Sequence, residues 1–356
     1  MDQFTTGKVA VSMEKAVYAA VRTYAKEDRI QSWFHFSVII LSVACSYLIL
    51  FVSSNLFISF ITSVVLSLLF VRFFVIYHDY VHMTILRDAF VAKIFFTLFG
   101  WYILAPISIW KRSHNHHHQH NSKLNSLGIG SFPILTRSEY LDCSRSKRFV
   151  YLLSRHPVSI ALGYFVIFLF GMCLRSFTQN FKKHWDSLLA LVVHAGLGLM
   201  IFCLGGIELF MLAFLMPALV SGCIGSYLFF AQHNYPGVIH HRKEDWSHYK
   251  AAITSSSYIK MNWLMEWFTA NIGYHHIHHL NAAIPFYNLP KAHHDLPQLK
   301  IQIDTTLHPL DILKCLRLKM WDPCLNRMIG MDDLRPLNLR DESELVKPIL
   351  HGLSNQ

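Results

Sequence analysis

The sequence predicts an all-α polytopic membrane protein: four transmembrane helices in two hairpins, under a cytosolic helical cap that carries a histidine-rich di-metal site. Three observations predict it. The 356 residues are 53% hydrophobic with a mean hydropathy of +0.32, and only 15% are charged, against about 25% in soluble domains. Four of the apolar segments, 33–53, 56–77, 187–204 and 207–231, fall into two closely spaced pairs, each segment near the length that crosses a bilayer. Three histidine clusters, HDYVH, SHNHHHQH and YHHIHHL, stand at or beyond the ends of apolar segments.

Composition also excludes some classes. The net charge of +10 and pI of about 9.2 fit a basic surface facing anionic lipid; nothing calls for nucleic acid. Seven cysteines form no CxxC pair, and Cys45, Cys203 and Cys223 sit inside apolar runs, so no disulfide framework is expected. The first thirty residues are polar and carry Lys8, Lys15, Arg22, Lys26 and Arg29, which is unlike a cleavable signal peptide.

In chain order, 33–53 and 56–77 form a hairpin closed by Ser53-Ser54-Asn55. Its basic N-terminal flank puts both ends in the cytoplasm. Arg72 is expected to snorkel to the interface. Residues 90–109, interrupted by Lys93, Gly100 and Pro106, read as interfacial or re-entrant. A full crossing there would separate the first two histidine clusters. The stretch 111–155 is polar and basic. Of the segments 157–174, 187–204 and 207–231, an even number must cross to return the third cluster to the same side. Arg175, Lys182 and Lys183 favour the cytoplasm, so 187–204 and 207–231 are assigned as the second hairpin, turning at Gly205-Gly206. Residues 309–322 interleave apolar residues with Lys314, Arg317 and Lys319, as in a surface-lying helix. The chain thus divides into segments 1–32, 33–300 and 301–356.

Residues at i, i+3 and i+4 share a helix face. His78 and His82 are an i, i+4 pair; His114, His117 and His118 repeat at i, i+3, i+4, as do His275, His278 and His279. One such cluster binds metal only adventitiously in many chains; three on one side of a membrane point to a built site. Eight converging imidazoles exceed the capacity of one ion, so two ions are expected. Neutral imidazole suits Zn, Fe, Cu or Ni. Neither an HExxH motif nor a Glu-x-x-His pair is present. His116, His120 and His276 fall off the common faces, His194 reads as a core histidine within a span, and His240, His241, His293 and His294 read as surface residues. Asp79, Asn115, Asn121, Asn234 and Asn271 flank the clusters as candidates for orienting the ligands.

The set HDYVH, SHNHHH and YHHIHHL resembles the three histidine boxes of the membrane fatty acid desaturases, a superfamily that also contains hydroxylases. The stretch HLNAAIPFYNLPKAHH resembles the bacterial acyl-lipid branch. The resemblance spans about residues 33–300. It implies a further ligand after the last span, where FFAQHNYPG places His233. The implied set is His78, His82, His114, His117, His118, His233, His275, His278 and His279. The resemblance also implies two iron ions that use O2 to insert a cis double bond into a fatty acyl chain, of Δ12/ω-6 type, at the cytoplasmic face of a bacterial inner membrane. Aliphatic C–H bonds give acids, bases and nucleophiles no purchase, so redox metal chemistry is required. His156-Pro157-Val158-Ser159 lacks the glycines of a cytochrome b5 haem motif, and no four-cysteine cluster or GxGxxG is present. A separate donor is therefore implied: ferredoxin, or cytochrome b5 with its reductase. The rival readings are a hydroxylase or ketolase on the same scaffold and, from another class, a metal transporter, whose ligands would lie near the bilayer midplane.

Overall fold

In a computed structural model, residues 14–124, 128–300 and 304–334 are described. Of the expected terminal segments, 1–13, 301–303 and 335–356 lie outside that description.

Helix α1 (Arg29–Val52) starts at Asp28, whose carboxylate accepts the Ile30 and Gln31 N–H groups. Asn55 caps α2 (Leu56–Val81) in the same way, through Phe57 and Ile58. Each polar cap satisfies amides that would otherwise be orphaned at a helix start, and the second closes the expected hairpin. Both helices exceed the roughly 20 residues needed to span. Phe34, Leu41, Leu48, Phe57 and Phe60 are exposed on their outer faces, as lipid contact requires.

Helix α3 (Phe90–Tyr102) and helix α4 (Ile107–His120) meet at 87°. The bend is fixed by Pro106 at the start of α4 and by the Tyr77 hydroxyl, which donates to the Ala105 carbonyl at 2.8 Å. At 1.5 Å per residue, α3 is about 20 Å long, too short to cross alone. A basic helix α5 (Arg145–Ser154) and a π-helical stretch Tyr164–Arg175 follow.

The helical run Trp185–Ala231 contains α6 (Trp185–Phe210) and α7 (Met216–Ala231). It is not straight. The His194 and Phe214 rings are 4.7 Å apart, although twenty residues of straight helix would separate them by about 30 Å. The reversal is at Gly205-Gly206, where Gly206 adopts φ 66°, ψ −162°, a backbone state open essentially to glycine. The second expected hairpin is therefore present. α2 packs between α1 and α7, with Phe73 stacked on Phe99 at 3.7 Å.

The cap contains α8 (His248–Ser255), α9 (His275–Leu280) and α10 (Pro309–Arg317). Strand β1 (Tyr258–Lys260) pairs in parallel with β2 (Asp304–Thr306), and β3 (Met320–Asp322) pairs antiparallel with β4 (Arg327–Ile329). These two small sheets break the all-helical expectation only locally. The helix expected over 309–322 ends at Arg317, because 320–322 are drawn into β3.

Arg72 corrects the snorkelling expectation. It is 2% exposed, donates to the Trp267 carbonyl and lies 4.2 Å above the Trp267 ring. The cap segment Trp263–Phe268 reaches down to it, so a local carbonyl and an aromatic face replace water around the guanidinium.

Candidate metal centre

The ends of α2, α4 and α7 and the short helix α9 converge. α2 runs four residues beyond its expected end, so His78 is still helical and His82 caps it. α4 presents His114, His117 and His118 inward; α9 presents His275, His278 and His279; His233 follows α7 by two residues. The loop after α4 is drawn close by Gly130, whose φ is +68° and whose missing Cβ would lie 2.2 Å from the Ser113 carbonyl oxygen. Only glycine permits that approach, and it delivers Ser131 Oγ to within 2.6 Å of His117 Nδ1.

All nine histidines come together, in two groups. His78, His82, His114, His118 and His278 form one; His117, His233, His275 and His279 form the other. Within each group the ligand-capable nitrogens lie within 4.8 Å of one another. The groups adjoin, with the His118 and His279 rings stacked 4.2 Å apart. The second and third boxes each contribute to both groups, a division that linear spacing does not display.

The donor set fits metal ions. Nε2 of His114 lies 2.8 Å from that of His78 and 3.0 Å from that of His118, which lies 3.1 Å from that of His278. A ring nitrogen carries at most one proton, so in this chain of contacts one proton would have to serve two. The Nε2 atoms of His233 and His275 are 2.9 Å apart, and those of His117 and His279 are 3.1 Å apart. Imidazole nitrogens about 2.0–2.1 Å from a shared ion stand roughly 2.9–3.4 Å apart for angles of 90–109°. His82 Nε2, His114 Nδ1, His275 Nδ1 and His278 Nδ1 are buried without hydrogen-bond partners.

The electrostatics keep the imidazoles neutral. Burial, followed by repulsion from the neighbouring rings, pushes the proton affinities of His114, His117, His118, His275, His278 and His279 well below the ordinary histidine value. Burial lowers His82 to about 3 and His233 to about 4. Neutral imidazole is the metal-binding form.

Orientation comes from three further groups. Asp79 Oδ1 is 3.1 Å from His78 Nδ1, His117 Nδ1 meets Ser131, and His233 Nδ1 is 2.9 Å from the Ser255 carbonyl oxygen. Asp79 was legible beside His78; Ser131 and Ser255 carried no sequence signal. The flanking asparagines do other work: Asn121 donates to Ser256, Asn234 to the Cys315 carbonyl and Asn271 to the Phe286 carbonyl, while Asn115 is exposed.

The remaining histidines stay outside both groups. His116 and His120 stack on each other at 4.1 Å, and His276 contacts the Leu299 carbonyl oxygen at 2.9 Å. His194 is satisfied by Tyr164 Oη at 2.7 Å and the Tyr102 carbonyl oxygen at 2.5 Å. His241 contacts Thr254, His293 packs against Tyr258, and His294 is exposed. His240 overturns its surface reading: it is 5% exposed and packs against Trp321 at 5.3 Å, because the β3–β4 hairpin folds over it.

Comparison with known proteins identifies the family. The family model described as fatty acid desaturase matches residues 54–305. A fatty acid desaturase of Bacillus subtilis is 31% identical over 275 residues, covering 76% of this chain and 78% of the relative. An sn-1 acyl-lipid omega-3 desaturase (ferredoxin) of Nostoc is 26% identical over 244 residues, 63% of each chain. An sn-1 oleoyl-lipid 12-desaturase of Synechocystis is 25% identical over 230 residues, 63% of this chain and 64% of the relative. The chain thus spans just under two thirds of the length of the two cyanobacterial relatives.

Proposed function

This chain belongs to the fatty acid desaturase family of membrane oxidoreductases, and from that premise we propose that it inserts a cis double bond into the acyl chain of a membrane lipid, using O2 and two iron ions. The observation that carries the proposal is the convergence of nine buried or half-buried histidines into two adjoining groups, with no carboxylate in either. In this reading His78, His82, His114, His118 and His278 hold one iron, and His117, His233, His275 and His279 hold the other. When bound, the iron pair supplies the O2-dependent oxidation that removes two hydrogens from neighbouring methylenes. The chain's own residues hold and orient the imidazoles through Asp79, Ser131 and the Ser255 carbonyl, and exclude bulk water by burying them.

An apolar cavity of about 360 Å³ supports an acyl substrate. Leu68 and Val71 of α2, Ile224 and Leu228 of α7, and Ile312 and Leu316 of α10 line part of it. Leu68 and Val71 precede His78 by ten and seven residues, so they sit roughly 10–15 Å down the same helix, within reach of a chain that passes the centre.

The finer assignments belong to the same proposal. Residues 33–300 are the desaturase domain. The enzyme is of the Δ12/ω-6 acyl-lipid type, in keeping with the name of the Synechocystis relative. Electrons arrive from a separate donor, ferredoxin as in the name of the Nostoc relative, or cytochrome b5 with its reductase. The site faces the cytoplasm of a bacterial inner membrane. Fatty acid analysis of a host expressing this chain, with double-bond positions determined, tests the reading. New cis double bonds are the expected result; hydroxylated acyl chains would favour the hydroxylase rival, and metal-dependent growth without lipid change would favour transport.

A further inference from the structure

Beside the second histidine group lies a small cavity that the reading above does not use. His117 and His233 line it together with His240, Arg155, Asn121 and Asn234, and its volume is about 20 Å³. A single water needs about 10–15 Å³ and two to four polar partners. The partners are in place. His240 is 5% exposed, and neither of its ring nitrogens has a hydrogen-bond partner. The Ser122 carbonyl beside the His240 ring already accepts the His241 N–H at 2.9 Å and keeps one lone pair for a further donor. Arg155 is fully buried; its guanidinium donates to the carbonyls of Pro133 and Leu318 and to Asn234 Oδ1, while its Nε is left without a partner. Buried polar groups are nearly always satisfied, by protein or by ordered water. Several bare nitrogens around a space of one water's size mark a hydrated site.

The chain segments that line the cavity, at Asn121-Ser122 and His240, continue into residues that line a second, open space. Lys123, Glu139, Arg242, Lys243 and Glu244 line an open groove of about 600 Å³. The two strips of chain that carry these linings are joined by backbone hydrogen bonds, in which the Leu124 N–H donates to the His241 carbonyl and the His241 N–H to the Ser122 carbonyl. Ser122 of that ladder and His240, next to its His241, both line the cavity.

We propose that the cavity holds one ordered water fixed by His240, and that His240 relays protons through it from the groove to the second histidine group. The need for protons follows from the balance of the reaction. O2, two electrons from the donor, two protons from solvent and one –CH2–CH2– unit give one –CH=CH– unit and two waters. The two hydrogens that leave carbon carry the other two electrons and protons. A neutral imidazole can accept a proton at one nitrogen as it releases one from the other, and such a concerted transfer leaves His240 neutral in the other tautomer. It touches neither substrate nor metal and acts through the water. The relay rests on the desaturase reading; the water site does not.

High-resolution density for the wild-type protein, with His240→Leu and His240→Gln measured beside it, tests the proposal. A water within hydrogen-bond distance of a His240 nitrogen is expected, and a dry cavity overturns the site; this measurement needs no variant to fold. His240→Leu should keep the wild-type metal content and lose desaturation about 10²-fold, with more O2 consumed as peroxide per double bond formed. His240→Gln should recover part of the rate and show a larger slowing in D2O than wild type. Near-normal coupled turnover by His240→Leu, or metal lost in parallel with activity, overturns the relay. If the wild-type protein forms no double bonds while the water is present, the desaturase reading fails and the site stands.

Discussion

Asp79 bridges two parts of the molecule that are 207 residues apart: one carboxylate oxygen lies 3.1 Å from His78 Nδ1, and the other accepts the Phe286 N–H at 2.7 Å. The contact ties the first histidine box to the segment just after the third. A carboxylate there accepts from Nδ1, which assigns the His78 proton to Nδ1 and turns Nε2 toward His114, 2.8 Å away.

Asp79→Asn should therefore weaken the first group without emptying the second. An amide cannot accept from both partners, so either His78 turns or the Phe286 N–H is left unsatisfied. Loss of such an orienting group typically costs about 10–100-fold in metal affinity or activity. Metal titration of the purified variant checks this; unchanged affinity at both sites would show that Asp79 serves only the backbone.

Active protein should contain two metal ions per chain. Zinc can replace iron on purification, since intrinsic affinity does not select iron. His275→Ala should remove the ion of the second group and leave the other, giving about one ion per chain. Metal analysis showing a single ion in active wild-type protein would sink the two-ion reading.

His233→Ala should abolish unsaturated product while the protein still inserts and accumulates, because His233 faces His275 at 2.9 Å within the second group. His294→Ala is the matched control, its side chain being 86% exposed. Fatty acid profiles of the two variants decide; near-normal desaturation by His233→Ala removes it from the ligand set.

Gly206→Val should destabilise the second hairpin by about 1–3 kcal/mol, the usual cost of a non-glycine residue held in a glycine-only backbone state. Thermal unfolding in detergent measures it. In the same protein, a cysteine placed near residue 180 should label from the cytoplasmic side. Labelling only from the opposite side would overturn the assigned topology.

Acid should destabilise the metal-free protein through His240. Burial, then the nearby Arg155, lowers His240 to about 3, against about 6.5 in the unfolded chain. The folded state binds fewer protons, so this contribution is complete above about pH 6.5 and is lost as pH falls toward 3. The slope for one such group is about 1.4 kcal/mol per pH unit. Unfolding free energies of wild type and His240→Gln between pH 7 and 4 test it: the variant should show a shallower slope, and parallel slopes would refute the assignment.

The sequence alone determined the hairpins, the helix faces and the ligand candidates, because these depend on local properties. Apolar run length sets whether a segment can span, and the 3.6-residue period places His114, His117 and His118 on one face whatever the rest of the chain does. Glycines at 205–206 mark a reversal for the same local reason. Tertiary structure decided what depends on residues distant in sequence. It split each of the last two boxes between two groups, one completed by His78 and His82 from the end of α2 and the other by His233 after α7. It buried Arg72 by bringing Trp267 down to it, and buried His240 by folding β3–β4 over it. It delivered Ser131 to His117 through the close approach at Gly130. Burial and second-neighbour contacts arise when separate segments pack, so no periodicity within one segment could have shown them.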